Sequence, residues 1–303
     1  MRERPLAILD GACVRCGTTE NLVRISEFGK AVCEGCFPEF LRRRIEATVR
    51  RYRMIPRRAH AVVAVSGGKD SGALLLALAH TRNRLNFTLT AIHLDMGLGE
   101  YSEASLAAAQ AQASTACVEL AVERVQDYGV EVAPIRDWPL CAVCGAVRRA
   151  LLPKMAVRLR ADVLCTGHTL DDQLQYILKN TLSGRPASPP PVLAPRLGFP
   201  RKSKPLIETP DIATATYVRL TGLPVVENSC PAFDPTSHRL KEVFDLMERL
   251  APMSKLQYWR TMRKVLEPDE EAGEERPCNV CGEPTWFVTC PLCRLRAEQQ
   301  GNR

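Results

Sequence analysis

The 303-residue chain has no apolar run near the ~18 residues that a membrane-spanning helix requires, so no helical anchor is expected. Its opening stretch, MRERPLAILDGAC, is too short in apolar length to act as a secretory leader. The pattern G-x-x-x-x-G-K-S/T is missing, which excludes a Walker A loop. Acidic residues are missing from Gln173 to Ile207, where Lys179, Arg185, Arg196, Arg201, Lys202 and Lys204 supply cations. In residues 41–58, LRRRIEATVRRYRMIPRR, Glu46 alone opposes eight arginines, although the net charge is only +7. One such cluster reads as a solvated helix face; two beside a nucleotide site read as a footprint for a polyphosphate such as RNA. The expected location is the cytoplasm, where thirteen cysteines stay reduced and their spacing speaks of metal or redox chemistry before disulfides.

Residues 61–72, AVVAVSGGKDSG, pass from an unalternating apolar run into two glycines, two serines and a charged pair. Such a run suits a strand covered on both faces, and the Ala- and Leu-rich stretch from Gly72 to Thr81 suits a helix. A strand-to-helix turn aims backbone N–H groups and the positive helix end into one concavity, where phosphate is the usual occupant. At Gly67 or Gly68 a Cβ would hold the backbone off an anion, while Ser66 and Ser71 add hydroxyls. The hexapeptide SGGKDS resembles the PP-loop of ATP pyrophosphatases, which split ATP between the α and β phosphates. That resemblance implies nucleotide contacts from Ala64, Val65, Ser66, Gly67, Gly68, Lys69, Asp70 and Ser71, with Mg2+ beside the phosphates.

Cys13-Val-Arg-Cys16 with Cys33-Glu-Gly-Cys36, and Cys278-Asn-Val-Cys281 with Cys290-Pro-Leu-Cys293, form two pairs of C-x-x-C knuckles. Four thiolates at this spacing wrap a tetrahedral Zn2+, so two structural zinc sites are expected. Closed sites of this kind serve folding or RNA docking rather than catalysis. Between them the pattern predicts strand 61–65, helix 72–82, strand 87–94, helix 102–127, strand 130–135, helix 142–160, strand 162–166, helix 170–182 and a later helix 210–221. This βαβα order implies an α/β fold, a doubly wound parallel sheet of the adenine nucleotide alpha hydrolase kind, flanked by zinc-binding modules. EPDEEAGEE at 267–275 reads as an acidic linker. The expected organisation is a zinc finger over 1–40, a PP-loop catalytic domain over 41–266, and the linker with a zinc ribbon over 267–303.

Five cysteines fall outside the knuckles. Cys117 and Cys165 are expected to be buried small hydrophobes. Cys141 and Cys144 open a helix, where the dipole favours thiolate, and Cys230 in ENSCPAFD is a third thiol near the same sheet edge. Three thiolates can hold a 4Fe-4S cluster with one iron open, and two thiols can instead work as a persulfide carrier with a resolving partner. With its knuckles, SGGKDS, CAVC, GHTLDD and SCP, the whole chain resembles the TtcA/TtuA family of tRNA 2-thiolation enzymes, most closely the TtuA branch.

The resemblance implies adenylation of a uridine C2 oxygen followed by sulfur transfer. It further implies a 4Fe-4S cluster on Cys141, Cys144 and Cys230, sulfide from a thiocarboxylated ubiquitin-like carrier protein, and a homodimer. It points to His93 and Gly167 beside the nucleotide, and to Arg148 and Asp172 as catalytic, with Asp172 favoured over Asp171. Arg148 stands where the family often has Lys, and arginine cannot serve as a base. Two other functions compete: the same chemistry on a small molecule, and a non-catalytic zinc-ribbon RNA-binding protein.

Overall fold

The structure, a computed structural model, describes residues 11–301 apart from 136, 137, 197, 228, 229, 232–234, 267–275, 283 and 286. The acidic stretch expected as a linker therefore lies outside the described residues. Near the N-terminus, β1 (Leu22–Ile25) and β2 (Lys30–Cys33) form an antiparallel hairpin that brings Cys13 and Cys16 to Cys33 and Cys36. Helix α1 (Phe37–Arg51) starts directly on Cys36 with a proline in its first turn, a position where the missing N–H costs nothing. Phe37, Leu41, Ile45 and Val49 recur one turn apart and form its buried face.

The arginines of this helix are largely engaged within the fold. Arg42 and Arg43 pair with Glu39, Arg50 with Glu46, and Arg51 with Glu208 at 2.7 Å. The Arg44 guanidinium lies 4.1 Å from the centre of the Phe28 ring. Arg53, Arg57 and Arg58 come next, just before β3 (His60–Ala64), and so sit at the N-terminal end of that strand. The phosphate-loop candidate follows its other end, about 17 Å away at ~3.3 Å per residue. The first cationic cluster therefore does not flank the loop after β3 as the sequence suggested; five of its eight arginines are engaged within the fold and the other three precede the opposite end of β3.

From β3 the chain alternates through α2 (Lys69–Leu85), β4 (Thr88–Asp95), α3 (Glu100–Ala116), β5 (Leu120–Arg124), α4 (Leu140–Arg158), β6 (Val163–Cys165) and α5 (Leu170–Leu182). It then adds β7 (Val192–Leu193) and β8 (Arg201–Ser203). The sheet order is β5-β4-β3-β6-β8-β7, parallel except for the β7 edge. Ala61 and Val63 pack to one face with α1 and α2, while Val62, Ile92 and Leu164 pack to the other with α4. Cores on both faces are what a doubly wound sheet requires. The order reverses between β3 and β6, and the turns after those two strands meet there.

Two sequence expectations change. The helix expected over 102–127 stops at Ala116, because Cys117 turns left-handed at φ +50° and its N–H folds back onto Ala113 and Ser114. Cys117 is accordingly exposed, not core. The edge strand is 120–124, not 130–135; among the described residues around Pro134 the one pairing is the isolated Ile135–Trp138 bridge. Cys165 is buried as expected, its thiol pushed up to about 12 by burial, and lies 3.3 Å from the Ser203 hydroxyl.

Helix α6 (Asp211–Thr221) packs on α1 and α2, and α7 (Pro235–Leu250) and α8 (Ser254–Val265) close over α5. Here Lys255, 4% exposed, contacts Asp171 at 2.7 Å, Glu27 at 3.4 Å and also Asp245. Asp171 is equally buried and also accepts the Asp211 N–H at 2.7 Å, tying α5, α6 and α8 to the N-terminal hairpin. Beyond residue 275, β9 (Arg276–Pro277) and β10 (Pro284–Thr285) precede α9 (Pro291–Gly301), which packs on α4. Replacing Lys255 with Met leaves two buried carboxylates unpaired and should lower stability by about 3–5 kcal/mol. Urea denaturation checks this, and an unchanged midpoint would show the cluster to be dispensable.

Candidate active site

A cleft of about 410 Å³ opens where the turns after β3 and β6 meet. Ala64, Val65, Ser66, Gly68, Asp70, Ser71, His93, Arg148 and Gly167 line it, so most of the residues expected at the nucleotide converge. Gly67 and Lys69 do not line it. Gly67 takes φ +77°, and a Cβ there would meet the Ser105 carbonyl oxygen at 2.5 Å, so this glycine serves the packing of the loop on α3. Lys69 turns aside to Asp70 at 2.7 Å. Burial pushes the Asp70 carboxyl up, and the Thr214 hydroxyl donates to it. Ser71 Oγ donates toward the Gly68 carbonyl and lies 3.1 Å from both the Ser66 N–H and Ser66 Oγ, which closes the turn.

His93 is buried at 2% exposure and contacts the Val65 carbonyl oxygen through Nδ1 at 2.9 Å. A carbonyl only accepts, so Nδ1 carries the proton and Nε2 presents a lone pair. Nε2 has no partner among the described residues. Desolvation holds the imidazole below its usual pKa, which keeps it neutral. His168 also lines the cleft but is exposed; desolvation and then Lys204 act to lower its imidazole, an effect that contact with solvent weakens.

The three odd thiols lie at one end of this cleft without lining it. Cys141 is exposed, Cys144 buried and Cys230 half-buried. Burial raises the Cys144 thiol, against the pull of Arg148, with Cys230 and Cys141 close enough to raise it further. The helix dipole invoked from sequence is thus outweighed at Cys144. Tyr101 lines the cleft; burial raises its phenol, and Cys230, Arg148 and Cys144 lie within electrostatic range of it. The Cys230 segment is tied to the phosphate loop itself: Val226 N–H donates to the Gly67 carbonyl at 2.9 Å. Gln112 Nε2 bridges that same carbonyl and Pro224 O.

The Asp171–Asp172 pair splits in role. Asp171 is consumed by Lys255 and the Asp211 N–H. Asp172 accepts the Thr169 N–H at 3.0 Å as a reciprocal helix cap and meets Lys241 at 2.7 Å. Burial alone would raise Asp172, but Lys241 and the cap hold it low, and a third of the side chain stays exposed. It does not line the cleft. Lys241 also reaches Asp211 at 2.9 Å, joining α7 to the starts of α5 and α6.

Sequence reasoning missed Tyr101, Arg149 and Lys202 at the cleft, and Lys241 beside Asp172. The glycines of DMGLGEY after a strand end are a signal for Tyr101. Lys202 was visible only as one of many cations, because RKS hides a strand. Each knuckle quartet gathers its four sulfurs within 4.8 Å of one another. Cys16 and Cys33 are 3.6 Å apart and Cys281 and Cys290 are 3.7 Å apart. A tetrahedral ion with bonds of ~2.3 Å separates its sulfurs by about 3.8 Å, so each set can hold a metal ion.

Against known proteins, a model of the PP-loop domain matches residues 40–189. The tRNA-5-methyluridine(54) 2-sulfurtransferase of Thermus thermophilus is 32% identical over 294 residues, covering 93% of this chain and 90% of that protein. The enzyme of the same name from Pyrococcus horikoshii is 29% identical, covering 87% of each. The U34-tRNA thiolase NcsA of Methanococcus maripaludis, solved with its 4Fe-4S cluster, superposes with a TM-score of 0.79 at 23% identity. That likeness covers 94% of this chain and 95% of the other and shows a shared fold. On the extent of the sulfurtransferase match, the chain belongs to the TtcA/TtuA family of tRNA 2-thiolation enzymes, within the PP-loop superfamily.

Proposed function

We propose that the protein is a tRNA-uridine 2-sulfurtransferase that spends ATP as AMP and pyrophosphate. The observation that carries this reading is one cleft with two ends: phosphate-loop groups Gly68, Ser71 and Gly167 at one, and Arg148 and Tyr101 beside a thiol trio at the other. A small-molecule thiolase would need the same cleft; the full-length likeness to tRNA sulfurtransferases favours tRNA.

Loop N–H groups between Ser66 and Ser71 hold the β and γ phosphates, with Mg2+ carried on the triphosphate. Neutral His93 accepts a hydrogen bond from a donor group of the nucleotide. The uridine O2 attacks the α phosphorus in line, and pyrophosphate leaves. Arg148 offsets the charge of the adenylate but takes no proton, because its guanidinium stays charged. AMP, a better leaving group than oxide, is then displaced from C2 by sulfur. Asp172 is the better candidate than Asp171 for the catalytic carboxylate, because it retains exposed surface three residues past Gly167–His168–Thr169 whereas Asp171 is enclosed.

Cys141, Cys144 and Cys230 approach one another but do not form a set within 4.8 Å, unlike the two quartets. A single ion does not suit such spacing; a 4Fe-4S cluster held by these three would supply one open iron for an exogenous sulfur ligand. Zn2+ is the ion assigned to both quartets on their all-thiolate, closed geometry. Sulfide delivery by a thiocarboxylated ubiquitin-like carrier and homodimer formation complete this reading and rest on the family resemblance, whereas the three-part division at residues 40 and 266 rests on the cysteine knuckles and the acidic stretch 267–275.

Gly68 tests the phosphate role more cleanly than its neighbour. A Cβ there would meet only Ser66 Oγ at 3.5 Å, an ordinary contact, so Gly68→Ala should fold normally. Calorimetry should nevertheless show ATP affinity at least about tenfold weaker, because the methyl holds the anion off the loop. Wild-type affinity in that variant would remove the loop from nucleotide binding. For the thiol trio, anaerobically reconstituted protein should hold about four irons and two zincs per chain. Changing Cys141, Cys144 or Cys230 to Ala should abolish iron binding and thiolation while sparing ATP affinity. Full activity in iron-free protein would replace the cluster by a persulfide carrier.

A further inference from the structure

The segment that delivers Cys141 and Cys144 has little backbone structure of its own. Among the described residues, 130–134 make no backbone-to-backbone hydrogen bond, and the Ile135–Trp138 pair is the next such contact before α4. This is the stretch where the sequence pattern suggests a strand, so a strand-forming segment stands without a strand partner.

Helix α9 fills that place. The Gln299 side-chain amide donates to the Glu131 carbonyl at 2.6 Å, and its oxygen accepts the Glu131 N–H at 3.3 Å. One side chain thus satisfies both backbone groups of one residue, as a neighbouring strand would. Arg296 donates to the Tyr128 carbonyl at 2.9 Å through Nε. The Arg294 guanidinium sits 4.8 Å from the Trp138 ring centre, three residues before Cys141. The two ends of the contact share a core: Cys278, Cys290, Leu292, Cys293 and Leu295 belong to the same apolar cluster as Ile135, Val143, Cys144 and Val147. Cys290 immediately precedes α9 and Cys293 lies in its first turn, so the quartet pins the start of the helix.

We propose that Arg294, Arg296 and Gln299 are positioning residues for the Cys141 and Cys144 thiols. Helix α9, anchored by the C-terminal quartet, substitutes for the missing strand and sets where these two sulfurs stand. The C-terminal module then serves the reacting centre, in addition to any part in stability or RNA docking. This rests on the reading that the two thiols hold a cluster, and the test separates the two ideas.

In the full chain, Arg294→Ala combined with Gln299→Ala removes the stack and both Glu131 bonds without touching a thiol. Amide exchange across residues 128–145 should accelerate on the order of tenfold or more, given two neutral hydrogen bonds and one cation–π contact. Exchange in 61–65, zinc content and ATP affinity should be unchanged, and iron retained after anaerobic reconstitution should fall by more than half. Restoring glutamine at 299 and placing Lys at 294 should recover most of the iron. Unchanged exchange in 128–145, or a rise spread equally over 61–65, overturns the brace. Wild-type protein that binds no iron overturns the cluster reading alone, because exchange still decides whether α9 orders the segment.

Discussion

The turns that follow β3 and β6 touch backbone to backbone, and the cleft exists because glycine stands at the contact. A Cβ at Gly167 would lie 3.0 Å from Ser71 N and 3.1 Å from Ser71 Cα, inside the first turn of α2. The loop could not give way without losing the N–H groups that face the cleft. Gly67 plays the same part on the other side, against α3. Of the three glycines, only Gly68 leaves space that a ligand could use, so what reads in the sequence as a phosphate-binding signature is mostly a packing signature that opens the cleft. The reversal of strand order at this point then decides that the concavity opens to solvent rather than to a neighbouring strand.

Charge does a different job from the one its distribution suggests. Glu208, 5% exposed, accepts from Arg51, Arg260 and Tyr52, and so fastens α1 to α8 and the turn before α6. Asp171, Asp172 and Asp211 crowd the starts of α5 and α6, where the helix dipoles favour carboxylates, and Lys241 and Lys255 come from α7 and α8 to neutralise them. Pairs this enclosed add less to stability than to uniqueness, since any shift of one helix strands a buried charge. The cations left at the cleft are those of α4 and β8: Arg148, Arg149 and Lys202.

The central sheet was legible where strand and helix differed in composition: AVVAV against ALLLALAH, or the apolar run before GHTLDD, whose helix was placed at 170–182 as observed. The metal quartets were legible because spacing alone constrains four thiolates. What failed depended on long-range partners. VEVAPI has better strand composition than LAVER, yet LAVER lies beside β4 and pairs with it, while VEVAPI faces a helix. Nor could local sequence show that Lys241 and Lys255, far along the chain, would decide which of two adjacent aspartates keeps a free surface.

The thiol trio is held from two sides that do not depend on each other. Cys141 and Cys144 stand on α4, whose approach is ordered by α9. Cys230 follows a segment whose Val226 N–H is bound to the carbonyl of Gly67, which packs tightly on α3. Gln112, fully buried, locks the same carbonyl to Pro224, so movement at Gly67 passes to the Cys230 segment through two hydrogen bonds rather than one. The segment leading toward Cys230 is thus fastened to the loop after β3, while the approach to Cys141 and Cys144 is fastened to the C-terminal helix. The proposed chemistry has to bring an activated base to sulfur, and the loop after β3 and the segment leading toward Cys230 share one carbonyl, that of Gly67, which couples the position of residues 224–226 to that of the loop.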